Sequence, residues 1–368
     1  MLAVLLLLVA GVAQVLPAAA AVRTASSDAA SFVVSGSLSD VAATSADNAW
    51  AVGYTSRGAL TVRWNGASWK QVPNPAPAGS LLYGVAATSA SNAWAVGCTG
   101  CTGSGVSKTL ILRWNGTTWK RAASPSLAGT LRSVAATSAK NAWVVGYTSV
   151  GKTLIERWNG SVWKRASSPS PGSSANLEDV AANSAGNAWA VGSAFSGDTI
   201  GTLIERWNGS VWKRIPSPNP DANQGLADFL GGVAVTSADS AWAVGDANCG
   251  CGPGDSVTER WNGSAWKQVP SPTPGGGVLL SGVAAVTART DWAVGATGSG
   301  DGPTKTLTLW WNGTAWKRVA SPSPRASASL SAVAVTSAKN AWAVGSTSTA
   351  QHASFETLIL RWNGTTWK

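Results

Sequence analysis

An all-β fold is what this sequence predicts, and three observations carry the prediction. The phrase AWAVG, or a close variant, recurs around Trp50, Trp94, Trp143, Trp189, Trp242, Trp292 and Trp342, at intervals of 44 to 53 residues. Each copy is followed by Trp-Asn-Gly, at Trp64, Trp114, Trp158, Trp207, Trp261, Trp311 and Trp362, with a further tryptophan five residues on, from Trp69 to Trp367. Each repeat also holds four short runs rich in Val, Trp, Thr and Ile, divided by turn residues. Seven four-stranded units at this period predict a single seven-bladed β-propeller of four-stranded antiparallel blades over residues 37–368.

Composition supports this and excludes other classes. A hydrophobic fraction of 45% is ample for a core, so the chain is not disordered. Charged residues make up only 12%, too few to wet the outer faces of long amphipathic helices.

From the N-terminus, residues 1–21 (MLAVLLLLVAGVAQVLPAAAA) are an apolar run ending in Pro17 and small residues. They read as a secretory signal cleaved near Ala20 or Ala21, with an uncleaved membrane anchor as the other reading. The mature protein is expected to be secreted or cell-surface associated, and monomeric. Residues 22–36 form an N-terminal segment whose one strand-like run, Ser31–Val34, is free to complete blade seven, because the chain stops at Trp367-Lys368 where earlier repeats continue.

Within a repeat, the third being typical, the four strands are expected at Arg132–Thr137, Asn141–Tyr147, Thr153–Trp158 and Val162–Ala166. Asn-Gly between strands three and four reads as a two-residue type I′ turn, which would set Trp64 across from Ala67 and diagonal to Trp69. The strand-one valine and strand-two tryptophan are always nine residues apart, whereas the strand two-to-three segment varies from 11 residues (Gly53 to Trp64) to 17 (Gly97 to Trp114). One face of the disc therefore follows a fixed pattern, and the other carries the differences between blades.

Cysteines occur in two places, Cys98/Cys101 and Cys249/Cys251, both in strand two-to-three loops. Blades two and five are three positions apart, too far for two short loops to share one zinc ion, and export favours oxidation. Two local disulfides are expected, Cys98–Cys101 and Cys249–Cys251, and no metal site or cofactor.

Of 27 basic residues, 17 fall on the outer hairpins: the arginine before six of the seven WNG copies (Arg63, Arg113, Arg157, Arg206, Arg260, Arg361), the lysine after each second tryptophan, and Arg121, Arg165, Arg214 and Arg318. The net charge of +10 is thus a ring around the rim. Lysines on outermost strands deter edge-to-edge pairing. The same ring would attract an anionic polymer. The first tryptophan of each phrase, beside the turn, is expected to be partly exposed. Arg63/Trp64, Arg113/Trp114, Arg157/Trp158, Arg206/Trp207, Arg260/Trp261, Trp310/Trp311 and Arg361/Trp362 are accordingly the candidate ligand-binding pairs. Trp310 stands where the other six repeats have arginine.

No catalytic constellation is visible. His352 is the single histidine and lacks a partner motif. Tyr54, Tyr83 and Tyr147 share no evident acid–base setting, and Glu156, Glu205 and Glu259 recur at one blade position, which points to structure. Asp246, Asp255 and Asp301 match no calcium loop.

The strings NAWAVG and TLIERWNGSVWK resemble secreted bacterial AWAVG/WNGxxW repeat proteins and, more remotely, Asp-box propellers, including Ycf48-type assembly factors, over residues 37–368. Asn stands here where the Asp-box has Asp, and its second Gly is absent. The resemblance implies the fold and not sialidase chemistry. The expected function is a non-catalytic binding or scaffold module recognising extracellular anionic polysaccharide through a basic, Trp-rich rim. The alternatives are a protein-binding platform on the variable loops and, disfavoured, a glycan-processing enzyme. Nucleic acid is a disfavoured partner for an exported chain.

Overall fold

The computed structural model describes residues 32–103, 105–125, 128–197, 199–219, 228–247, 254–274, 277–286, 290–298, 302–349 and 354–368. The expected signal segment, Cys249, Cys251, Asp301 and His352 lie outside them. Seven antiparallel sheets follow one another along the chain, each in simple sequential strand order. They form a seven-bladed β-propeller with blades at residues 37–71, 81–121, 129–166, 174–214, 228–268, 278–319 and 327–362. The third blade consists of Gly129–Ser138, Asn141–Thr148, Thr153–Trp158 and Trp163–Ala166, close to the strands read from sequence. First strands touch first strands around the whole ring, from Ser37–Ser45 against Leu81–Ser89 back to Ser327–Ser337 against Ser37–Ser45, so strand one lies nearest the axis.

Every first strand carries a β-bulge. Its unpaired residue is Ser39, Tyr83, Arg132, Glu178, Gly231, Ser281 or Ser331, one per blade. A bulge adds a residue to one strand and re-aims its side chain. Beside each bulge, strand one presses on the glycine that closes AWAVG. A Cβ on Gly53 would overlap the carbonyl oxygen of Ser37, and the same clash recurs at Gly97, Gly146, Gly192, Gly245, Gly295 and Gly345. Close backbone approach explains why every repeat ends that strand-two phrase in glycine.

The tryptophans are joinery. The strand-two tryptophan of each blade packs on both WNGxxW tryptophans of the next, with ring centroids 4.8 to 5.2 Å apart, at all seven seams. Trp342 of blade seven closes the ring on Trp64 and Trp69 of blade one. These tilted and edge-on geometries are the favoured ones for aromatic pairs.

The WNG turn differs from expectation. Trp64 pairs directly with Trp69, not with Ala67, so the loop is four residues long. Asn65 Oδ1 accepts the backbone N–H groups of Ala67 and Ser68, both at 3.0 Å, and Gly66 alone takes positive φ, at 92°. The asparagine works through its side chain, as an Asx turn, and a type I′ conformation at Asn65 is not needed.

At the seventh blade, the third strand Phe355–Trp362 is met by chain from both ends. Lys368 exchanges two backbone hydrogen bonds with Arg361, while Ser35 bridges Glu356 and Thr357 N–H donates to Val34 C=O at 3.0 Å. Phe32 and Val34 pack against the cluster that holds Leu38, Trp64 and Trp342. Deleting residues 22–36 should lower the melting midpoint by several degrees. An unchanged circular-dichroism melt would show that the ring closes on the seam tryptophans alone.

Candidate functional site

The seven bulged residues meet in one place. Ser39, Tyr83, Arg132, Glu178, Gly231, Ser281 and Ser331 all line a cavity of about 640 Å³ at the axis. Tyr54 and Asp246, at the ends of second strands, also line it, so this funnel opens on the face bearing the variable strand two-to-three loops. Its wall is two-sided. Blades one to four contribute Tyr54, Tyr83, Arg132, Asn176 and Glu178, whereas blades five and six contribute the apolar Phe229 and Leu279 beside Asp246 and Ser281.

The polar side is pre-organised. Arg132 Nε donates to Glu178 Oε2 at 2.7 Å, and its guanidinium lies 4.5 Å from the centroid of the Tyr83 ring. Asn176 Nδ2 donates to Glu178 Oε1 at 2.6 Å, and Ser193 Oγ donates in turn to Asn176 Oδ1 at 2.6 Å. Burial lowers the guanidinium's proton affinity, but the charge of Glu178 and its hydrogen bond win and hold Arg132 above its ordinary pKa. Burial raises the Tyr83 phenol.

Two aspartates pin the funnel floor. Asp40 follows its bulge directly. Its Oδ1 accepts Val41 N–H and its Oδ2 accepts Val85 N–H of blade two, each at 2.7 Å. Asp179 accepts the Ser133 hydroxyl of blade three at 2.6 Å, its neighbour Val180 N–H at 2.8 Å and Val233 N–H of blade five at 2.8 Å. Burial pushes Asp40 up to about 8 and Asp179 up to about 6, against these hydrogen bonds. Asp246 is raised to about 6 by burial and by neighbouring Asp228.

The rim residues chosen from sequence are placed differently from expectation. The first tryptophan of each phrase is buried in six blades (Trp64, Trp114, Trp158, Trp207, Trp261, Trp311) and half-buried only at Trp362. The six buried rings each span two blades, and the Nε1–H of Trp64, Trp114, Trp158, Trp207 and Trp261 finds a turn carbonyl, as Trp64 does with Ala46 at 3.0 Å, so these six leave no face for a ligand. The arginines are clamped as well. Arg63 lies over Trp50 and Trp114, Arg113 over Trp94 and Trp158, Arg157 over Trp143 and Trp207, Arg206 over Trp189 and Trp261, Arg260 over Trp242 and Trp311, and Arg361 over Trp342 and Trp64, all at 4.8 to 5.6 Å. Arg63 also donates to Asn48 Oδ1 in its own blade and to Ala90 C=O in the next. Trp310 occupies the clamp position of blade six without a charge and is 36% exposed. The outer lysines, with Arg121, Arg165, Arg214 and Arg318, are exposed. Cys98 and Cys101 form a disulfide in the blade-two loop on the variable face.

Sequence reasoning missed the funnel, yet a signal was present. The two residues before the strand-one valine read SD, YG, RS, ED, GG, SG and SA in the seven blades. Nowhere else in the constant half of the repeat do tyrosine, arginine and acids replace one another.

A seven-bladed propeller with an axial funnel on its loop-bearing face is the class of protein that fold and site define. Among solved structures the chain is similar to YCF48 bound to D1 peptide, at 15% identity and a TM-score of 0.55, covering 89% of this chain and 96% of that one. It is similar to YCF48 from Cyanidioschyzon merolae at 18% identity and a TM-score of 0.53, covering 88% and 96%. It also resembles the GH74 xyloglucanase from Xanthomonas campestris at 13% identity and a TM-score of 0.56, covering 88% of this chain and 54% of that one. At these identities the likeness speaks to the fold. No protein-family model and no curated protein matches the chain.

Proposed function

We propose that the protein is an exported, non-catalytic binding module that takes an extended peptide segment of a protein partner into the axial funnel. The observation that carries this reading is the ring of bulged residues, which converts one variable position per repeat into a single cavity with a polar side and an apolar side. Such a pocket suits a chain with alternating side chains, apolar ones against Phe229 and Leu279 and polar ones against Tyr54, Tyr83 and Arg132. One structural neighbour is itself described as bound to a peptide. The two floor aspartates favour recognition over hydrolysis, because hydrogen bonds from their own and from neighbouring blades already occupy both oxygens of each. Peptides selected from a random display library against the protein should lose at least about tenfold in affinity when Leu279, which is 50% exposed, is replaced by Arg. Equal binding to L279R, or no enrichment at all, would overturn the funnel reading.

A second reading concerns the rim. Eleven exposed basic side chains, the seven lysines and four arginines of the outer strands, encircle the disc. They support binding of an anionic polysaccharide, which should weaken steeply as salt is raised.

A further inference from the structure

The seam between blades six and seven is built unlike the others. At six seams an arginine lies over its own blade's strand-two tryptophan and the next blade's WNG tryptophan. Blade six has Trp310 in that place, cross-strand from Trp292. One consequence follows from losing the cation. Trp362, the WNG tryptophan that an arginine would cover, is half-buried where its six counterparts are buried. The turn carbonyl of blade seven, like Ala46 and Ala139 of blades one and three, accepts its tryptophan N–H without an arginine donor. Ala90 C=O accepts both Trp114 Nε1–H and the Arg63 guanidinium, and Ala185 and Ala238 are served in the same way. Ala338 C=O, the counterpart in blade seven, accepts Trp362 Nε1–H at 3.0 Å and has a lone pair to spare. Direct cross-strand partners share a sheet face with Cβ atoms about 4.5–5.5 Å apart, and the partner of Trp310 is the exposed Lys317.

We propose that this seam is a subsite for one ring of an acidic saccharide, a uronic acid, stacked on the exposed tryptophan surface with its carboxylate on Lys317. The inference rests on the rim reading above and locates it. A pyranose presents slightly positive C–H groups on one face, which suit the negative π-face of an indole. Its hydroxyls can donate to a free carbonyl such as Ala338, and its carboxylate selects the side where Lys317 stands. A neutral hydrophobe would leave the lysine and carbonyl unused, and a non-sugar polyanion would leave the indoles unused.

The test uses the full chain, oligogalacturonate as probe, a neutral glucose oligomer and poly-glutamate as comparisons, and the variants W310R, W310A and K317A. W310R installs the residue the other six repeats carry, so it should fold with a melting midpoint no lower than that of the parent. Oligogalacturonate affinity is expected to fall at least about tenfold in W310R and W310A and to fall in K317A, while poly-glutamate binding stays the same in W310A. If W310R and W310A hold oligogalacturonate as tightly as the parent, the seam is not the subsite, although the rim reading survives. If K317A changes nothing and the neutral oligomer binds equally well, the acidic specificity is wrong. If the parent binds neither polyanion at low salt, the rim reading itself fails.

Discussion

The melting midpoint of this protein is expected to fall as pH rises from about 5 to about 8.5, the reverse of the usual behaviour of carboxylates held in salt bridges. Glu156, Glu205 and Glu259 occupy one strand-three position in blades three, four and five, are fully buried, and have neither carboxyl oxygen hydrogen-bonded. Burial drives Glu156 up to about 7, against the attraction of Arg165. It drives Glu205 up to about 8, against Arg214, and Glu259 up to about 8, with repulsion from Asp228 adding to it. Each folded pKa exceeds the unfolded value of 4.5. Between those values the folded state holds protons that the unfolded chain has released. Stability is therefore complete below the unfolded pKa and drains away as pH climbs through the folded one. One pKa unit corresponds to about 1.4 kcal/mol, so a rise from 4.5 to about 8 makes Glu205 and Glu259 each cost on the order of 5 kcal/mol at the alkaline end, a large share of a typical 5–15 kcal/mol total. Asp40, Asp179, Asp246 and Asp291 are raised in the same direction. The repeats supply the control, because Val62, Leu112, Leu309 and Leu360 fill this position in the other blades. A triple variant E156L/E205L/E259L should melt higher at alkaline pH and show a flatter pH profile. A parent midpoint that stays level or rises towards pH 8.5 would refute the assignment.

The same glutamates show where sequence reading works and where it stops. Their recurrence at one position marked them as structural, but recurrence carries no information on burial, and nothing in TLIERW says that the carboxyl lacks a partner. The blade count and strand order were legible because the same tryptophan phrases recur seven times with turn residues between four short runs. The exposure of those tryptophans was misjudged because a residue beside a turn is near the edge of its own blade yet deep between two blades. The next blade is 44 to 53 residues away in the chain and invisible to local pattern. The funnel was missed for a related reason. Nothing in the spacing of the repeat marks an extra residue in strand one, and only the bulge turns Tyr83, Arg132 and Glu178 towards the axis. Trp310, by contrast, was found from sequence as the one tryptophan outside the pattern.

Replacing Trp342 by Ala should produce the largest loss of any single seam substitution, about 3–5 kcal/mol in chemical unfolding. Trp342 is fully buried, meets Trp64 at 4.9 Å and Trp69 at 5.1 Å, and lies under the Arg361 guanidinium at 5.0 Å. Truncation removes the buried indole surface, two aromatic pairs and one face of the cation clamp, and leaves a cavity between blades that cannot collapse without distorting both sheets. Trp143 makes equivalent contacts with Trp207 and Trp212, so W143A costs a similar amount from packing alone. The seams differ in what else holds them. Blades three and four are joined by the chain that runs from Ala166 to Ser174, whereas among the described residues blades seven and one are joined by packing and by Phe32–Gly36 lying along Phe355–Thr357. Breaking the closing seam therefore lets the ring open. Hydrogen exchange in W342A should quicken first in the adjoining strands Ser37–Ser45 and Ser327–Ser337, while in W143A it should not single those strands out. W310A, at an exposed site, should cost less than about 1 kcal/mol. A W342A variant no less stable than W310A would mean that the tryptophan joints do not carry the ring, and that closure depends on the inner strands and their aspartate pins.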